Sequence, residues 1–192
     1  MIEDFCTLDL LYRHAWDCLC VEVDQGPNPF RLMQAATLGL DSFPKVRTVV
    51  LRKADRESGT LCFHTDLRSD KFAELQRDPR ISMVGMDSIR NVQIRIEGDA
   101  RLITTGQDRD AAWQASRMHS RRLYQGRIPP GTPLESPSQA YAEMAPDQGF
   151  EHFCLVVVSI HRLEWLDVST ETHQRALFQR TGPIWQSLWV AP

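Results

Sequence analysis

The stretch Val92-Gln-Ile-Arg-Ile-Glu-Gly-Asp-Ala-Arg-Leu102 alternates apolar or small residues with polar residues at every position. Successive side chains of a β-strand point to opposite faces, so this pattern puts one face in a core and the other in solvent. Because the alternation has no break, it predicts a long, half-buried strand. We therefore expect a protein whose core is a sheet.

Shorter strand-like segments lie on both sides of this stretch. They are residues 46–52, 61–65, 81–86, 153–159, 163–167, 176–180 and 184–190. The first two flank a polar loop that contains Gly59, and the last two flank Thr181-Gly182-Pro183, so two hairpins are predicted. Several strands with a few helices between and before them predict an α+β fold built on an antiparallel β-barrel.

Helical signals lie before and between these strands. Helices are predicted over residues 8–21, 30–39, 69–76 and 108–122, and a proline-rich loop over residues 128–138. Gly26-Pro27 ends the first helix, Asn28-Pro29 is a start signal for the second, and Ser69 is the expected cap of the third. We expect residues 1–192 to form a single domain, with N-terminal helices over about residues 8–40 and the barrel over about residues 44–192.

Composition and charge exclude several classes of protein. Hydrophobic residues make up 42% and charged residues 24%, and the net charge is −3, which is ordinary for a globular chain and argues against a nucleic-acid binder. No apolar run approaches the roughly 20 residues of a membrane span, and Glu3 and Asp4 exclude a basic secretory signal, so no membrane partner is expected. The five cysteines lack Cys-x-x-Cys spacing, which predicts reduced thiols in a cytoplasmic protein and no metal site.

One group of residue types indicates an anion site. Arg47 and Arg52 belong to one predicted strand, Thr65 ends the next strand, and Ser69 and Lys71 begin a helix. A helix N-terminus, a hydroxyl and cationic side chains together favour a phosphate group. From spacing alone, a capping serine, a solvated lysine and surface arginines remain the alternative. Arg47 and Arg52 are five residues apart and face opposite sides of a regular strand, so both reach one ligand only through a twist, a bulge or a strand end.

A series of motifs runs along the chain in an informative order. They are Arg47-Thr-Val-Val-Leu-Arg52, Phe63-His-Thr-Asp66, Ser69-Asp-Lys71, Val92-Gln-Ile-Arg-Ile-Glu-Gly98, Glu164-Trp165, Glu171-Thr-His-Gln-Arg175 and the terminal Val190-Ala-Pro192. In order and separation they resemble the motifs of the pyridoxamine 5′-phosphate oxidase-like flavoproteins. The resemblance covers about residues 44–192. It implies an antiparallel split β-barrel with flanking helices that binds FMN at the interface of a homodimer.

The resemblance also implies roles for individual residues toward FMN. The FMN phosphate would be held by Arg47, Arg52, Ser69 and Lys71. The flavin and its ribityl chain would meet Val50 and Leu51 through the backbone, together with His64, Thr65 and Gln93. Trp165 and Arg175 would come from the other subunit, with Trp165 touching the flavin.

On the substrate side, the resemblance implies Arg117, Glu171 and His173. His173 is the candidate catalytic proton donor, because imidazole titrates near neutrality. Two family arginines are replaced, by Asp70 in the phosphate motif and by Glu171 in the substrate motif. Arg68 is a candidate to compensate for Asp70, whereas Glu171 disfavours a pyridoxal phosphate-like anion.

The resemblance predicts an FMN-binding oxidoreductase that acts on an unidentified small molecule. Two alternatives stay open. One is a true pyridoxamine or pyridoxine 5′-phosphate oxidase with a rearranged substrate site. The other is a non-catalytic protein that holds FMN or haem in the same barrel.

Overall fold

A computed structural model describes residues 7–20, 28–141, 148–182 and 184–192 of the chain. The strands are β1 (Leu32–Leu38), β2 (Pro44–Asp55), β3 (Thr60–Asp66), β4 (Arg80–Asp87), β5 (Val92–Ile103), β6 (Phe153–Asp167), β7 (Gln174–Thr181) and β8 (Ile184–Trp189). The helices are α1 (Leu8–Cys20), α2 (Asp70–Arg77), α3 (Gln107–Ala115) and α4 (Met118–Arg121). Single 3₁₀ segments lie at Pro29–Arg31, Arg122–Tyr124 and Pro137–Tyr141.

The strands form one antiparallel sheet in the order β3-β2-β1-β4-β5-β6-β7-β8, and β3 also pairs with β6. This additional pairing joins Thr60 with Ser159 at one end and Asp66 with Phe153 at the other. It closes β3, β2, β1, β4, β5 and β6 into a barrel, while β7 and β8 extend the sheet beyond β6. The predicted α+β fold with an antiparallel barrel and flanking helices is confirmed.

The alternating stretch forms β5, and its geometry explains the glycine within it. Ile94 and Ile96 are buried as predicted, and the polar residues between the apolar ones point outward. The register with β6 shifts between Glu97 and Gly98. A Cβ atom on Gly98 would lie 2.3 Å from the carbonyl oxygen of Ser159, so a larger residue would clash with the backbone of β6 at this irregularity.

Two apolar clusters pack against opposite faces of the sheet. The larger cluster fills the barrel and includes Leu11, Ala15 and Trp16 of α1. The smaller cluster lies on the outer face of β3 and β6, where α3 and the turn after α4 cover it, and contains Tyr124 and Phe153. The segment that follows α3 is therefore held beside the end of β3.

The predicted helix over residues 30–39 is wrong. Pro29–Arg31 is one 3₁₀ turn with Asn28 as its cap, and the chain then continues as β1. Met33 and Ala35 are buried and the residues between them are more exposed, which is the period of two of a strand. The division into N-terminal helices over residues 8–40 and a barrel over residues 44–192 is corrected accordingly, because the barrel begins with β1.

Two further predicted boundaries differ from the structure. Residues 153–159 and 163–167 were expected to be separate strands, but they form the single β6, because the residues between them continue the pairing with β5. The helix predicted over residues 108–122 breaks after α3. There the Ser116 hydroxyl donates a hydrogen bond to the Ala112 carbonyl oxygen at 2.8 Å, a local bond that competes with continuing the helix.

The helices of the described part are short. The prediction for residues 8–21 is confirmed as far as Cys20, while Val21 and the stop signal Gly26-Pro27 lie outside the described residues. The Asn28 side-chain amide donates a hydrogen bond to the Cys18 carbonyl oxygen at 3.1 Å and so satisfies a carbonyl group of the last turn. None of the helices that the structure describes has the length and apolar character that crossing a bilayer requires.

Substitution of Gly98 tests the close approach of β5 and β6. We expect Gly98→Ala to lower the free energy of unfolding by about 2 kcal/mol, because the new methyl group collides with backbone that cannot rotate away. Chemical denaturation of both proteins measures this difference. Arg101→Ala, at an exposed position of the same strand, is the matched control and should change stability by less than about 0.5 kcal/mol. Equal stability of the two variants would contradict the assignment.

Candidate functional site

Arg47 lies in a polar triad that joins three elements. Its Nη2 donates to Oε2 of Glu74 at 2.6 Å, and its Nη1 donates to the Thr37 hydroxyl. The Thr37 hydroxyl donates to the same Glu74 oxygen at 2.6 Å. Glu74 is only 3% exposed, so Arg47 of β2 is held in one orientation by β1 and α2. Sequence analysis missed Glu74; the available signal was a carboxylate on the apolar face of α2, which begins at Asp70.

Lys71 lies next to Arg47 and is largely buried. Its Nζ is 5.6 Å from the centre of the Phe63 ring. Burial and, to a smaller extent, the nearby positive charge of Arg47 lower the pKa of Lys71 to about 8, against an opposing effect of Glu74. Two cations that share one partly desolvated place favour an anion between them.

Thr65 and Ser69 bring two hydroxyl groups to the start of α2. Their oxygens are 3.1 Å apart, and the Ser69 hydroxyl donates to the Asp66 carbonyl oxygen at 2.7 Å. Ser69 has the backbone conformation of the predicted cap, but its side chain makes no capping hydrogen bond. The hydroxyl is thus positioned by the end of β3 rather than by the helix.

Arg52 has different surroundings from Arg47. The pairing of β2 with β3 shifts between Leu51 and Lys53, so Arg52 is the extra residue of a β-bulge. Burial lowers the pKa of Arg52, and the ionisable groups that act on it are Tyr124, Arg31 and Arg117. Its Nε is buried and has no hydrogen-bond partner among the described residues. The structure thus groups Arg52 with Arg117 and an unsatisfied donor, apart from the triad around Arg47.

Two neutral ring residues accompany Arg52. Burial, with a smaller effect of the Arg52 charge, lowers the pKa of His64 to about 4, so its imidazole is uncharged at neutral pH. Burial raises the pKa of Tyr124 to about 12, so its phenol keeps its proton. Both rings pack against Phe153, with ring centres 4.7 Å and 5.3 Å away. They offer hydrogen-bonding groups without charge beside a cation.

Val50 and Leu51 point in opposite directions from β2. Leu51 is buried in the barrel, and Val50 is half-buried on the outer face. A contact of Leu51 with a ligand on the outer face would therefore involve its backbone, which is the role that the resemblance implies.

Gln93 and Arg175 occupy one cross-strand row. Both are register partners of Leu166, so the three side chains share the outer face of β5, β6 and β7. Arg175 donates from Nε and Nη2 to Oε2 of Glu164 at 3.0 Å and 2.7 Å. Burial raises the pKa of Glu164, but the hydrogen bonds from Arg175 and Arg162 outweigh this effect and lower it overall.

Trp165 lies on the other side of β6. It is 2% exposed, belongs to the apolar filling of the barrel, and meets the His14 ring edge to face at 5.2 Å. The predicted contact of its ring with flavin across a subunit interface is corrected, because the side chain presents no face to the outside. Since neighbouring strand residues alternate, Leu166 holds the outward position that the motif assigns to its aromatic residue.

Glu171 and His173 are exposed in the connection between β6 and β7, a few residues before Arg175. Arg117 is exposed at the N-terminus of α4, far along the chain from them. The structure brings Arg117, but neither Glu171 nor His173, into the electrostatic surroundings of Arg52.

Arg68 does not compensate for Asp70. Its guanidinium pairs with both oxygens of Asp66, at 2.9 Å and 2.7 Å, and donates to the Gly126 carbonyl oxygen at 2.8 Å. Asp70 is exposed, and its Oδ2 would lie 3.7 Å from a Cβ atom on Gly131. The proline-rich loop thus passes beside the start of α2, and Asp70 faces this loop.

The residues implicated in cofactor binding form two groups at opposite ends of β6. His64 pairs with Leu155 near the start of the strand, whereas Gln93 and Arg175 pair with Leu166 near its end. Eleven residues of strand separate these positions, a contour of about 36 Å at roughly 3.3 Å per residue. From this separation along β6, we expect a single small molecule to contact only one of the two groups of a given chain.

Comparisons with known proteins agree with this geometry. The family model described as pyridoxamine 5′-phosphate oxidase, FMN-binding domain, matches residues 14–104, which include Arg47, Lys71 and Gln93. A pyridoxine/pyridoxamine 5′-phosphate oxidase 2 of Arabidopsis thaliana is 33% identical over 155 residues, which cover 76% of this chain and 77% of that protein.

Two crystal structures share the fold. A pyridoxamine 5′-phosphate oxidase-related, FMN-binding protein of Nostoc punctiforme superposes with a TM-score of 0.78 at 24% identity, over 95% of this chain and 96% of that one. PhzG of Burkholderia lata, solved with tetrahydrophenazine-1-carboxylic acid, superposes with a TM-score of 0.74 at 19% identity, over 96% and 91% of the two chains.

The predicted cofactor fits the residues that are present. The buried Lys71 beside Arg47 matches a phosphate dianion, and hydroxyl groups lie at the start of the adjacent helix. The match to an FMN-binding domain confirms FMN as the cofactor. Fold, motifs and relatives agree, and the chain belongs to the pyridoxamine 5′-phosphate oxidase family of FMN-binding split-barrel proteins.

Proposed function

We propose that the protein is an FMN-dependent oxidoreductase that acts on a small anionic substrate. The observation that carries this proposal is the presence of two separate cationic sites. The first cationic place is the site around Arg47 and Lys71, and the second cationic place is the site around Arg52 and Arg117. The first suits the phosphate of the cofactor. The second leaves a buried donor of Arg52 for another ligand.

At the first cationic place, the anion-binding side chains are already oriented in the protein without FMN. Glu74 and Thr37 fix the direction of Arg47, so little side-chain freedom is lost when phosphate binds. Lys71 has lost hydration in the free protein, and a dianion restores a favourable partner. Ser69 and Thr65 add hydroxyl groups, in the role that the family resemblance implies.

We also propose a homodimer with the cofactor between the subunits. The His64 end and the Gln93–Arg175 end of β6 are too far apart to touch one FMN within a chain, so two chains must supply them if both contact it. The outer face of β1, β4 and β5 carries a cleft of about 390 Å³ that Gln93 and Val46 help to line. Val46 is 66% exposed there and offers apolar surface to a partner. Light scattering of the FMN-loaded protein tests this, and a monomer with tightly bound FMN would contradict it.

At the second place, the chemistry favours an anionic substrate. Arg31 and Arg117 each lie within electrostatic reach of Arg52, and the Tyr124 hydroxyl is a neutral donor near Arg52. The 33% identical Arabidopsis relative, named as a pyridoxine/pyridoxamine 5′-phosphate oxidase, makes pyridoxine 5′-phosphate the first substrate to test. Glu171 in place of an arginine argues for a different anion.

Bound FMN supplies an acceptor for a hydride from the substrate. The chain itself orients the substrate through Arg52, keeps His64 uncharged at neutral pH, and keeps a proton on Tyr124. His173 is the proposed catalytic residue, brought from the β6–β7 connection of the other subunit, where it would accept the proton that the substrate loses as its hydride leaves. The four cysteines of the described residues are free thiols, which supports the cytoplasm as the proposed location.

The proposed phosphate site predicts a selective loss of FMN affinity. Arg47→Ala and Lys71→Ala should each weaken FMN binding at least about tenfold, because each removes a charge-assisted contact. Riboflavin lacks the phosphate and should bind all variants with nearly equal affinity. Titration followed by flavin fluorescence measures both ligands. Lys45→Ala, an exposed cation on the same strand, is the control. Unchanged FMN affinity in both variants would remove the assignment.

The lowered pKa of Lys71 predicts a pH dependence of FMN binding. A dianion binds the protonated lysine, so FMN affinity should be constant from pH 7 to about 8 and fall as the pH rises further. The ratio of FMN to riboflavin affinity isolates this effect from titration of the ring. Lys71→Arg should give a flat ratio, because arginine stays charged throughout. A falling ratio in Lys71→Arg would assign the effect to another group.

Anaerobic reduction of bound FMN tests the proposed activity. Pyridoxine 5′-phosphate and other small phosphates or carboxylates are mixed with the FMN-loaded protein, and loss of oxidised flavin absorbance reports hydride transfer. Arg52→Gln should raise the substrate concentration needed at least about tenfold, and His173→Gln should slow reduction without changing FMN affinity. Binding of FMN with no reduction by any of these anions would favour the non-catalytic alternative.

A further inference from the structure

The connection between α3 and β6 supplies two of the residues around Arg52 in the second cationic place. It contains Arg117 and Tyr124, yet its described residues include no strand and only one short α-helix, α4. The His152 ring nitrogen Nδ1 lies 2.8 Å from the Tyr124 carbonyl oxygen, and Arg109 of α3 donates a hydrogen bond to the Phe150 carbonyl oxygen. A segment with so little regular structure needs further ties to keep a side chain opposite a fixed partner.

Arg68 supplies such a tie from the other side. It follows the end of β3, where Asp66 pairs with Phe153 and the Leu67 amide donates to the His152 carbonyl oxygen at 2.8 Å. The guanidinium grips Asp66 with Nε and Nη2 and uses Nη1 for the carbonyl oxygens of Gly126 and Arg127, at 2.8 Å and 3.3 Å. We call this bridge from Asp66 through Arg68 to Gly126 and Arg127 the Arg68 clamp.

The clamp is partly buried and anchored in the barrel. The Arg68 side chain is 19% exposed and that of Asp66 is 7% exposed, so solvent competes weakly for these hydrogen bonds. Because Asp66 is the last residue of β3, the clamp ties the loop to a strand that is paired on both sides. It is therefore a rigid attachment of the segment to β3, in addition to the His152 contact beside β6.

The residue that the clamp places is Tyr124. Gly126 lies two residues after it, and the Tyr124 phenol is within electrostatic reach of Arg52 and of Asp66. Its ring packs on Phe153 and Trp113. These contacts orient the ring but do not fix the position of the backbone along the barrel surface. The clamp holds the backbone two residues after Tyr124, on the side where the Arg52 Nε has no hydrogen-bond partner among the described residues.

We propose that Arg68 is a positioning residue for the second ligand: by holding the Gly126 and Arg127 carbonyl groups, it keeps Tyr124 opposite Arg52. The proposal rests on the proposed function, since it takes Arg52 as a contact of an anionic ligand other than FMN. Arg68 itself touches neither that ligand nor the FMN phosphate. Its loss should act on second-ligand affinity alone.

The test uses the FMN-loaded protein and phenyl phosphate, a planar dianion that cannot be oxidised. Its binding is followed by difference absorbance of the flavin. Arg68→Ala should bind phenyl phosphate about tenfold more weakly and FMN within about twofold of wild type. Arg80→Ala is the matched control. Arg80 forms the same kind of pair with Asp78, two residues before it, at 2.9 Å, but its 77% exposed side chain makes no hydrogen bond to a distant segment among the described residues.

Two further measurements separate positioning from a general loss of structure. Arg68→Lys keeps a cation beside Asp66 but cannot hold a carboxylate with two parallel bonds while reaching Gly126, so it should lose phenyl phosphate affinity with little change in melting temperature. Millimolar guanidinium should restore phenyl phosphate binding to Arg68→Ala and leave Arg80→Ala unchanged.

Each outcome bears on one claim. Wild-type affinity for phenyl phosphate in Arg68→Ala and Arg68→Lys overturns the positioning role, and so does an equal loss of FMN and phenyl phosphate affinity. No binding of phenyl phosphate to the wild-type holoprotein removes the second pocket and the inference with it. Failure of the wild type to bind FMN would instead overturn the proposed function.

Discussion

The pairing of β3 with β6 is the constraint on which the rest of the molecule depends. It joins segments about ninety residues apart in sequence, so its loop-closure entropy must be offset by burial along both strands. Where this pairing ends, at Asp66 and Phe153, the chain turns into α2 and presents Ser69 and Lys71. The same end carries Arg68 and supports the cluster around Tyr124. One closure of the barrel thus positions the cofactor phosphate site and the wall of the second pocket together.

The charges of the site are local, because the chain as a whole has a net charge of −3. Around Arg47 and Lys71, a single buried carboxylate, Glu74, offsets part of the positive charge and keeps Arg47 directed. Leaving a lysine largely desolvated is unfavourable in the free protein, and the lowered pKa of Lys71 records this. Binding of a doubly charged ligand beside Lys71 offsets this unfavourable desolvation. Arg52 and its neighbours show the same arrangement without any nearby carboxylate among the residues that shift its pKa.

Sequence patterns correctly predicted those elements whose structure depends on residues close together in the chain. The alternation in β5, the two hairpins and the start of α2 were all legible, because each depends on residues within a few positions. The error at residues 30–39 came from an apolar pattern that fits both periods over seven residues, and pairing on both sides of β1 decided it. Glu74 gave only a weak signal, a carboxylate on an apolar helix face, and Tyr124 gave none, since the importance of both comes from partners distant in sequence. Trp165 was misassigned because a one-residue offset within a strand exchanges the inner face for the outer.

The spacing of Arg47 and Arg52 conflicts with a shared phosphate site, and this conflict agrees with the structure. Two residues that are five apart in a regular strand have side chains on opposite faces, which counts against a shared phosphate. The bulge between Leu51 and Lys53 does not bring Arg52 back to Arg47; it frees Arg52 from the ladder and turns it toward Tyr124. In the proposed function, one short motif therefore serves two ligands, with its first cation at the cofactor phosphate and its last at the second pocket. Under this arrangement, substitutions around Arg52 change which anion is accepted without altering the grip of Arg47 and Lys71 on FMN. A split barrel can in this way keep one cofactor while its substrates diverge.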